Sequence, residues 1–311
     1  MTKFNIPKTF KCNDVIPFLN EIQEVFSWRN KLVPNIHIDI GKTKTISSLG
    51  ILLIYKIIEF TYKNYCFKRP NLIANDYILQ KWKEYGFYEL ISAYMDDHDK
   101  TEQIYRKLAI KMEDKFFIAP QALLRGDQYS KDVLEKNFLP QIKSYYSESE
   151  KVVSMIFLCI SEILLNFWEH AVEDTKSILV VEGNKQNIEI TCADTGNGII
   201  STLGVIYKEF SLSKTTILRK SIEKGQTSKK MSNHMGYGLW ILNEITTQIG
   251  GRLHLYSEGA YLKNERKKIL TGECGYWQGT IIYLSLPLQN PKTLSDIDPY
   301  TISDEININI G

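Results

Sequence analysis

Ser161-Glu162-Ile163-Leu164-Leu165-Asn166-Phe167-Trp168-Glu169-His170 lies within a run, Val152 to Val172, that holds neither glycine nor proline. Such a run predicts one long helix. Its other side chains are Val, Met, Ile, Phe, Leu, Cys and Trp, so the helix is expected to be almost wholly buried. Glu162 and Asn166 stand four apart and share a face, which Glu169 and His170 continue one turn later. A polar stripe on a buried helix needs partners, because a buried charge without them is costly. Two readings fit it equally: an internal salt-bridge and hydrogen-bond network, or a ligand-facing surface on which Asn166 holds a metal ion and Glu162 acts on a water.

Downstream, Ile178 to Glu182, a Gly183-Asn184 turn and Ile188 to Ala193 read as a β-hairpin. The second strand runs into Ala193-Asp194-Thr195-Gly196-Asn197-Gly198. Ile188, Ile190 and Cys192 alternate onto one face, and Asp194 falls on that face where the strand ends. A fixed carboxylate there can accept from a purine amino group, and the two glycines allow a tight turn close to a ligand. By itself the segment reads first as an ordinary Asp-Thr-Gly turn. Ser201 to Met235 is polar. Gly236-Tyr237-Gly238-Leu239 then leads into a helix, Leu239 to Ile249, that closes at Gly250-Gly251. Free N–H groups and the helix dipole at such a start suit phosphate oxygens. Leu253 to Ser257 and Thr280 to Leu286 read as two further strands, the second entered through Gly279-Thr280.

Taken together, the acidic-xxx-Asn helix, the DxGxG turn, the polar stretch, the GxGL helix entry and the GT strand resemble the GHKL ATPases, the nucleotide-binding fold shared by DNA gyrase, heat-shock chaperones, sensor histidine kinases and mismatch-repair ATPases. The resemblance covers about Lys151 to Pro287. It implies an ATP- and Mg²⁺-binding α/β sandwich on a mixed, mainly antiparallel sheet. Glu162 would be the general base or water-positioning carboxylate, and Asn166 would coordinate Mg²⁺. Asp194 would accept from the adenine amino group, aided by Thr280, with Gly196 and Gly198 shaping the pocket. Gly236, Gly238 and Leu239 would cradle phosphates, and His170 is counted with the nucleotide-binding residues. Ser201 to Met235 would be the lid, from which Lys229 or Lys230 could reach phosphate.

The Glu-xxx-Asn-xxx-His-Ala form of Glu162 to Ala171 looks most like the anti-sigma-factor serine kinases of that family. Ahead of it, Ile36 to Ile40 alternates like a half-buried strand, and Ser47 and Ser48 precede a helix, Leu49 to Tyr65. Asn71 to Ala74 reads as another strand and Tyr77 to Tyr85 as a helix ending at Gly86. This α/β alternation resembles a STAS domain, the usual partner of those kinases. Ile46 stands where that family has an acidic residue, so Ser47 or Ser48 is read as a helix N-cap. The expected organisation is a STAS-like domain over 1–115, a connector with one amphipathic helix over 116–150, the ATP-binding domain over 151–288 and a loosely held tail over 289–311.

Composition narrows the function. The chain has 311 residues, with 38 Lys plus Arg against 36 Asp plus Glu, a net charge of +2. That balance speaks against coating nucleic acid or an anionic membrane. The five cysteines form no CxxC pair, so neither a zinc site nor a disulfide framework is expected. The first residues lack the apolar stretch of a signal peptide, and Ile51 to Phe60 is interrupted by Lys56 and Glu59 and too short to cross a bilayer. A cytoplasmic protein is expected. Gly41-Lys42-Thr43 mimics the end of a P-loop but lacks its first glycine, and Asp96-Asp97-His98-Asp99 reads as a solvated turn. Three classes stay open: a protein serine/threonine kinase, an ATPase clamp controlling a protein partner, or a nucleotide-binding scaffold without turnover. A homodimer is left open as well.

Overall fold

The computed structural model describes residues 2–28, 34–65, 70–87, 115–124, 132–170, 176–227 and 236–298. Asp96 to Asp99, Lys229 and Lys230 lie outside them. The N-terminal part opens with β1 (Thr2–Asn5), β2 (Thr9–Phe10) and α1 (Val15–Ile22), a 3-10 turn follows at Gln23–Ser27, and then come β3 (Ile36–Asp39), β4 (Thr45–Ile46), α2 (Ser48–Asn64), β5 (Asn71–Ile73) and α3 (Asp76–Glu84). β1, β3 and β5 form a parallel sheet in the order β1-β3-β5. Ser47 caps α2, its side chain accepting from the Gly50 N–H, and Asn75 caps α3 in the same way. α3 stops before Gly86, whose φ of +75° suits a residue without a Cβ. Gly41 to Thr43 is a loop stapled by Asn75, whose side-chain amide donates to the Gly41 and Thr43 carbonyls.

The second part is built on a seven-stranded sheet. Its strands are β6 (Phe116–Leu124), β7 (Lys176–Gly183), β8 (Asn187–Ala193), β9 (Arg252–Ser257), β10 (Ala260–Glu265), β11 (Lys268–Glu273) and β12 (Thr280–Pro287). The order is β11-β10-β9-β12-β8-β7-β6, and every neighbouring pair is antiparallel. Two elements depart from the sequence expectation. Phe116–Leu124, expected inside a connector, is the edge strand β6. Helical turns follow it at Val133–Phe138 and in α4 (Leu139–Tyr145). The β10–β11 hairpin was not foreseen at all. Its two-residue turn is Arg266-Lys267, both at positive φ (49° and 71°), a conformation usually announced by Asn-Gly.

Period-two alternation divides the sheet between two cores. Leu179, Val181, Ile188, Ile190, Leu253, Leu255, Ile282 and Leu284 face one cluster, with α5 (Glu150–His170) and α8 (Gly238–Ile249) laid over it. Ile178, Val180, Ala193, Tyr256, Ile281 and Tyr283 face the other, which is shared with α2 and the N-terminal sheet. Strands covered on both faces read as continuous apolar runs, which is what Ile178-Leu179-Val180-Val181 and Ile281-Ile282-Tyr283-Leu284 are. Helix α2 is buried from Ser48 to Tyr62. It keeps Lys56 and Glu59 inside by pairing them with each other, one turn apart.

Between β8 and α8 lie α6 (Ile199–Gly204), a 3-10 turn at Val205–Phe210 and α7 (Lys214–Lys220), so much of the stretch expected as a polar lid is helical. After β12 the chain does not trail away at once. α9 (Leu294–Ile297) packs on α8, and buried Asp298 pairs with Lys224. No disulfide joins the described cysteines, Cys12, Cys159, Cys192 and Cys274. Among the described residues, no helix is long and apolar enough to cross a membrane.

Candidate functional site

Helix α5 is not buried all round. Val152, Met155, Ile156, Cys159, Ile160, Ile163, Leu164 and Phe167 are buried, whereas Glu162, Leu165 and Asn166 are half-buried and face a pocket. The pocket encloses about 920 Å³, its open mouth included. Glu162, Asn166, Asp194, Gly236, Gly238, Leu239 and Thr280 all line it. These residues come from four segments far apart in sequence. His170 ends α5, and its side chain lies outside the described residues.

The two ends of the pocket are built differently. At one end, α8 starts against α5. A Cβ added to Gly238 would lie 2.7 Å from Asn166 Nδ2 and 2.8 Å from Glu162 Oε2. A larger side chain there would push the ends of both polar side chains aside. Gly236 has a φ of +71°, and a Cβ there would meet the Gln226 backbone at 2.7 Å. Asn166 Nδ2 donates to the Glu162 carbonyl at 2.8 Å, which makes its amide oxygen the end able to take a cation. Among the described residues, no cluster of three or more His, Cys, Asp or Glu could hold a metal ion. The Asn166 amide oxygen and the Glu162 carboxylate are hard oxygen donors of the kind Mg²⁺ takes, beside waters and phosphate oxygens. Beneath Glu162, burial first, and then the charge of that carboxylate, push the Cys159 thiol up, so it stays protonated.

At the other end Asp194 follows β8 directly and is buried to 7 % exposure. Its Oδ1 accepts from the Gly196 N–H at 2.9 Å and its Oδ2 from the Thr280 N–H at 3.3 Å. Gly279, at φ +91°, passes so near that a Cβ would lie 2.4 Å from Asp194 Oδ1. Gly196 thus acts by holding the Asp194 carboxylate. Gly198 is neither a pocket-lining residue nor an open turn: it precedes α6, and a Cβ there would strike Ser257 Oγ at 2.4 Å and Glu258 Oε2 at 2.5 Å. Ser257 Oγ accepts from the Ile199 N–H at 2.9 Å and Glu258 Oε2 from the Ser201 N–H at 2.7 Å. These side chains from the β9–β10 turn serve the amides at the start of α6. Nothing in the sequence around Ser257 and Glu258 announced that role, because the helix they serve is nearly sixty residues upstream.

Sequence reasoning also passed over Asn197 in the glycine turn, and Thr202, Ser221, Gln226 and Thr227 in the segment expected as a lid, all of which line the pocket. Tyr207 holds Gln226 through its hydroxyl. A tyrosine about a quarter of the way from one glycine motif to the next carries no sequence signal of its own.

With that geometry in place, the comparison with protein families is direct. The model described as "Histidine kinase-, DNA gyrase B-, and HSP90-like ATPase" matches residues 152–290. Those residues form a GHKL-type ATPase domain. The match begins at the first residue of the glycine- and proline-free run and ends just past β12, so it takes in both ends of the pocket and the helices between them. The antiparallel sheet with α5 and α8 on one face is the α/β sandwich of this domain class. A search of curated proteins found no match to the chain.

Proposed function

We propose that the GHKL domain binds Mg·ATP in the pocket between α5, the Asp194 turn and α8, and turns it over to control a protein partner. The observation that supports this most is the convergence of an acidic side chain, an amide and a glycine-led helix start at Glu162, Asn166 and Gly238. In this reading Asp194 accepts from the adenine amino group, with Thr280 beside it. Gly236, Gly238 and Leu239 receive the phosphates at the positive end of α8. Asn166 would hold Mg²⁺ together with phosphate oxygens, and the ion would supply neutralisation of phosphate charge. Glu162, one turn before Asn166, orients or deprotonates the attacking water or hydroxyl.

We further propose that the chain is organised as expected, with a STAS-like unit up to about residue 115 and a nucleotide-binding unit over 151–288 to which β6 adds an edge strand. The three-stranded parallel sheet and the Ser47-capped helix support that likeness. A kinship with anti-sigma-factor kinases, a regulatory protein partner and a cytoplasmic setting belong to the same proposal. Ser48 does not fit a phosphoacceptor in this arrangement, since its hydroxyl is buried and donates to Glu182 at 2.6 Å.

ATP labelled at the γ-phosphate tests the reading. Label is expected to leave ATP in the presence of Mg²⁺, either as free phosphate or on a protein, and its destination separates hydrolysis from kinase activity. Tight ATP binding with no loss of label would leave a nucleotide-binding scaffold. Absence of ATP binding would overturn the proposal.

A further inference from the structure

The loop from Cys274 to Gly279 joins two regions that sequence distance keeps apart. Trp277 in its middle is fully buried, and its indole N–H donates to the Asp194 carbonyl at 2.8 Å. Gln278 Nε2 donates to the next carbonyl, that of Thr195, at 2.8 Å. The Trp277 carbonyl in turn accepts from the Glu258 N–H at 3.0 Å, and Glu258 is the residue that serves the start of α6. The Trp277 indole thus holds the turn that carries Asp194, and the Trp277 main-chain carbonyl holds the backbone of Glu258.

The outer side of this loop rests on the N-terminal part. Gly275 N–H donates to Asn20 Oδ1 at 2.6 Å, and a Cβ on Gly275 would lie 2.1 Å from the Leu19 carbonyl oxygen. The loop therefore lies directly on the backbone of α1. Phe26, from the 3-10 turn after α1, meets the Trp277 ring edge-on at 5.4 Å and packs on Phe60 of α2 at 4.8 Å.

We propose that Trp277 is a positioning residue for adenine recognition, acting through Asp194, and that α1 sets its position, so that the seating of the N-terminal part determines nucleotide affinity. This rests on the ATP-binding reading above. The physical basis is that a carboxylate discriminates between ligands only if its direction is fixed, and the main-chain bonds to Trp277 and Gln278 fix the turn from behind.

The test compares wild type, Trp277→Phe and Asn20→Ala. Trp277→Phe keeps an aromatic ring against Phe26 and removes the indole donor. Asn20→Ala removes the side-chain hydrogen bond that ties Gly275 to α1, at a solvent-facing position, and spares the core. Calorimetry gives the Kd of Mg·ATP and of magnesium tripolyphosphate, and thermal unfolding gives the ligand-free Tm. Both variants are expected to bind ATP at least fivefold more weakly and tripolyphosphate within twofold of wild type, because only the base end is disturbed. A merely structural role lowers Tm and leaves ATP affinity unchanged, or weakens both ligands alike; either result overturns the inference. Should Trp277→Phe not fold, Asn20→Ala decides alone. Failure of wild type itself to bind ATP would overturn the ATP-binding reading, and this inference with it, whereas wild-type binding with unaffected variants overturns the inference alone.

Discussion

Replacing Asp194 by asparagine separates the two duties of its carboxylate. In the fold, the two oxygens accept from different backbone donors, Gly196 N–H at 2.9 Å and Thr280 N–H at 3.3 Å. Asparagine offers one acceptor oxygen and one NH₂, so whichever way it turns, a donor faces a donor. Leaving one buried donor without its partner costs about 1–3 kcal/mol of stability. The shorter Gly196 bond is the one to keep, so the NH₂ turns toward Thr280. For binding, the variant loses an acceptor bearing charge and presents a donor toward the adenine amino group. Hydrogen bonds to charged groups contribute about 1.5–3 kcal/mol, which corresponds to about a 10- to 150-fold weaker Kd for ATP. Calorimetry with ATP, run at a temperature well below the lowered Tm, measures this directly. A Kd within twofold of wild type in a folded variant would refute the adenine-pocket assignment, and so would an equal loss for tripolyphosphate, which has no base.

Three other expectations follow from the same geometry. Glu162→Gln keeps size and hydrogen bonding but removes the base, so kcat for phosphate loss should fall on the order of 10²-fold while ATP affinity stays within a few-fold; a fall in Tm with unchanged kcat would instead make Glu162 a structural carboxylate. Chelation of Mg²⁺ by EDTA should weaken ATP binding in wild type, and Asn166→Ala should blunt that dependence; identical binding with and without EDTA would reduce the α5 stripe to a core network. His254 is fully buried, and burial, then the Lys263 ammonium, lower its pKa to about 4 despite a 2.6 Å hydrogen bond to Glu265. A lowered histidine pKa means that the unfolded chain takes up a proton which the folded chain refuses, so stability is full above the ordinary value near 6.5 and drains away as pH falls from there toward 4. Urea unfolding at pH 7 and pH 5 should show a larger drop for wild type than for His254→Gln; equal drops would show that His254 titrates normally.

Local signals made most of the pocket legible before any fold was known. Asp194 was placed by counting alternate residues along β8 from Ile188, and the strand's fixed period carried it to the pocket face. Glu162 and Asn166 were paired by the four-residue spacing of a helix, although their helix is open toward the pocket on that side and not sealed as its apolar composition implied. The glycines at Gly236 and Gly238 point to phosphate in the sequence, and in the fold Gly236 combines a positive φ with a close approach to the Gln226 backbone, whereas Gly238 leaves room for the ends of Glu162 and Asn166. Gly198 was read as part of the same pocket because it shares a motif with Gly196. Its space is in fact taken by Ser257 and Glu258, which a motif cannot foretell.

What the sequence determined by itself is whatever depends on period and on backbone chemistry within a few residues: a long helix through Glu162 and Asn166, the hairpin ending at Asp194, a serine cap at Ser47 or Ser48, the glycine-led start of α8. Only the tertiary structure decided which distant residues share an environment. It added β6 to the sheet edge, turned a chain corner on two positive-φ residues that are not glycine, laid α2 over the second face of the sheet, and set Trp277 between Asp194 and Phe26. The reason is physical. Hydrogen bonding and side-chain period act along the chain and leave a local pattern, whereas burial rewards any apolar surface that reaches another, and nothing in Trp277's own neighbourhood states that its partners will be residues 26 and 194.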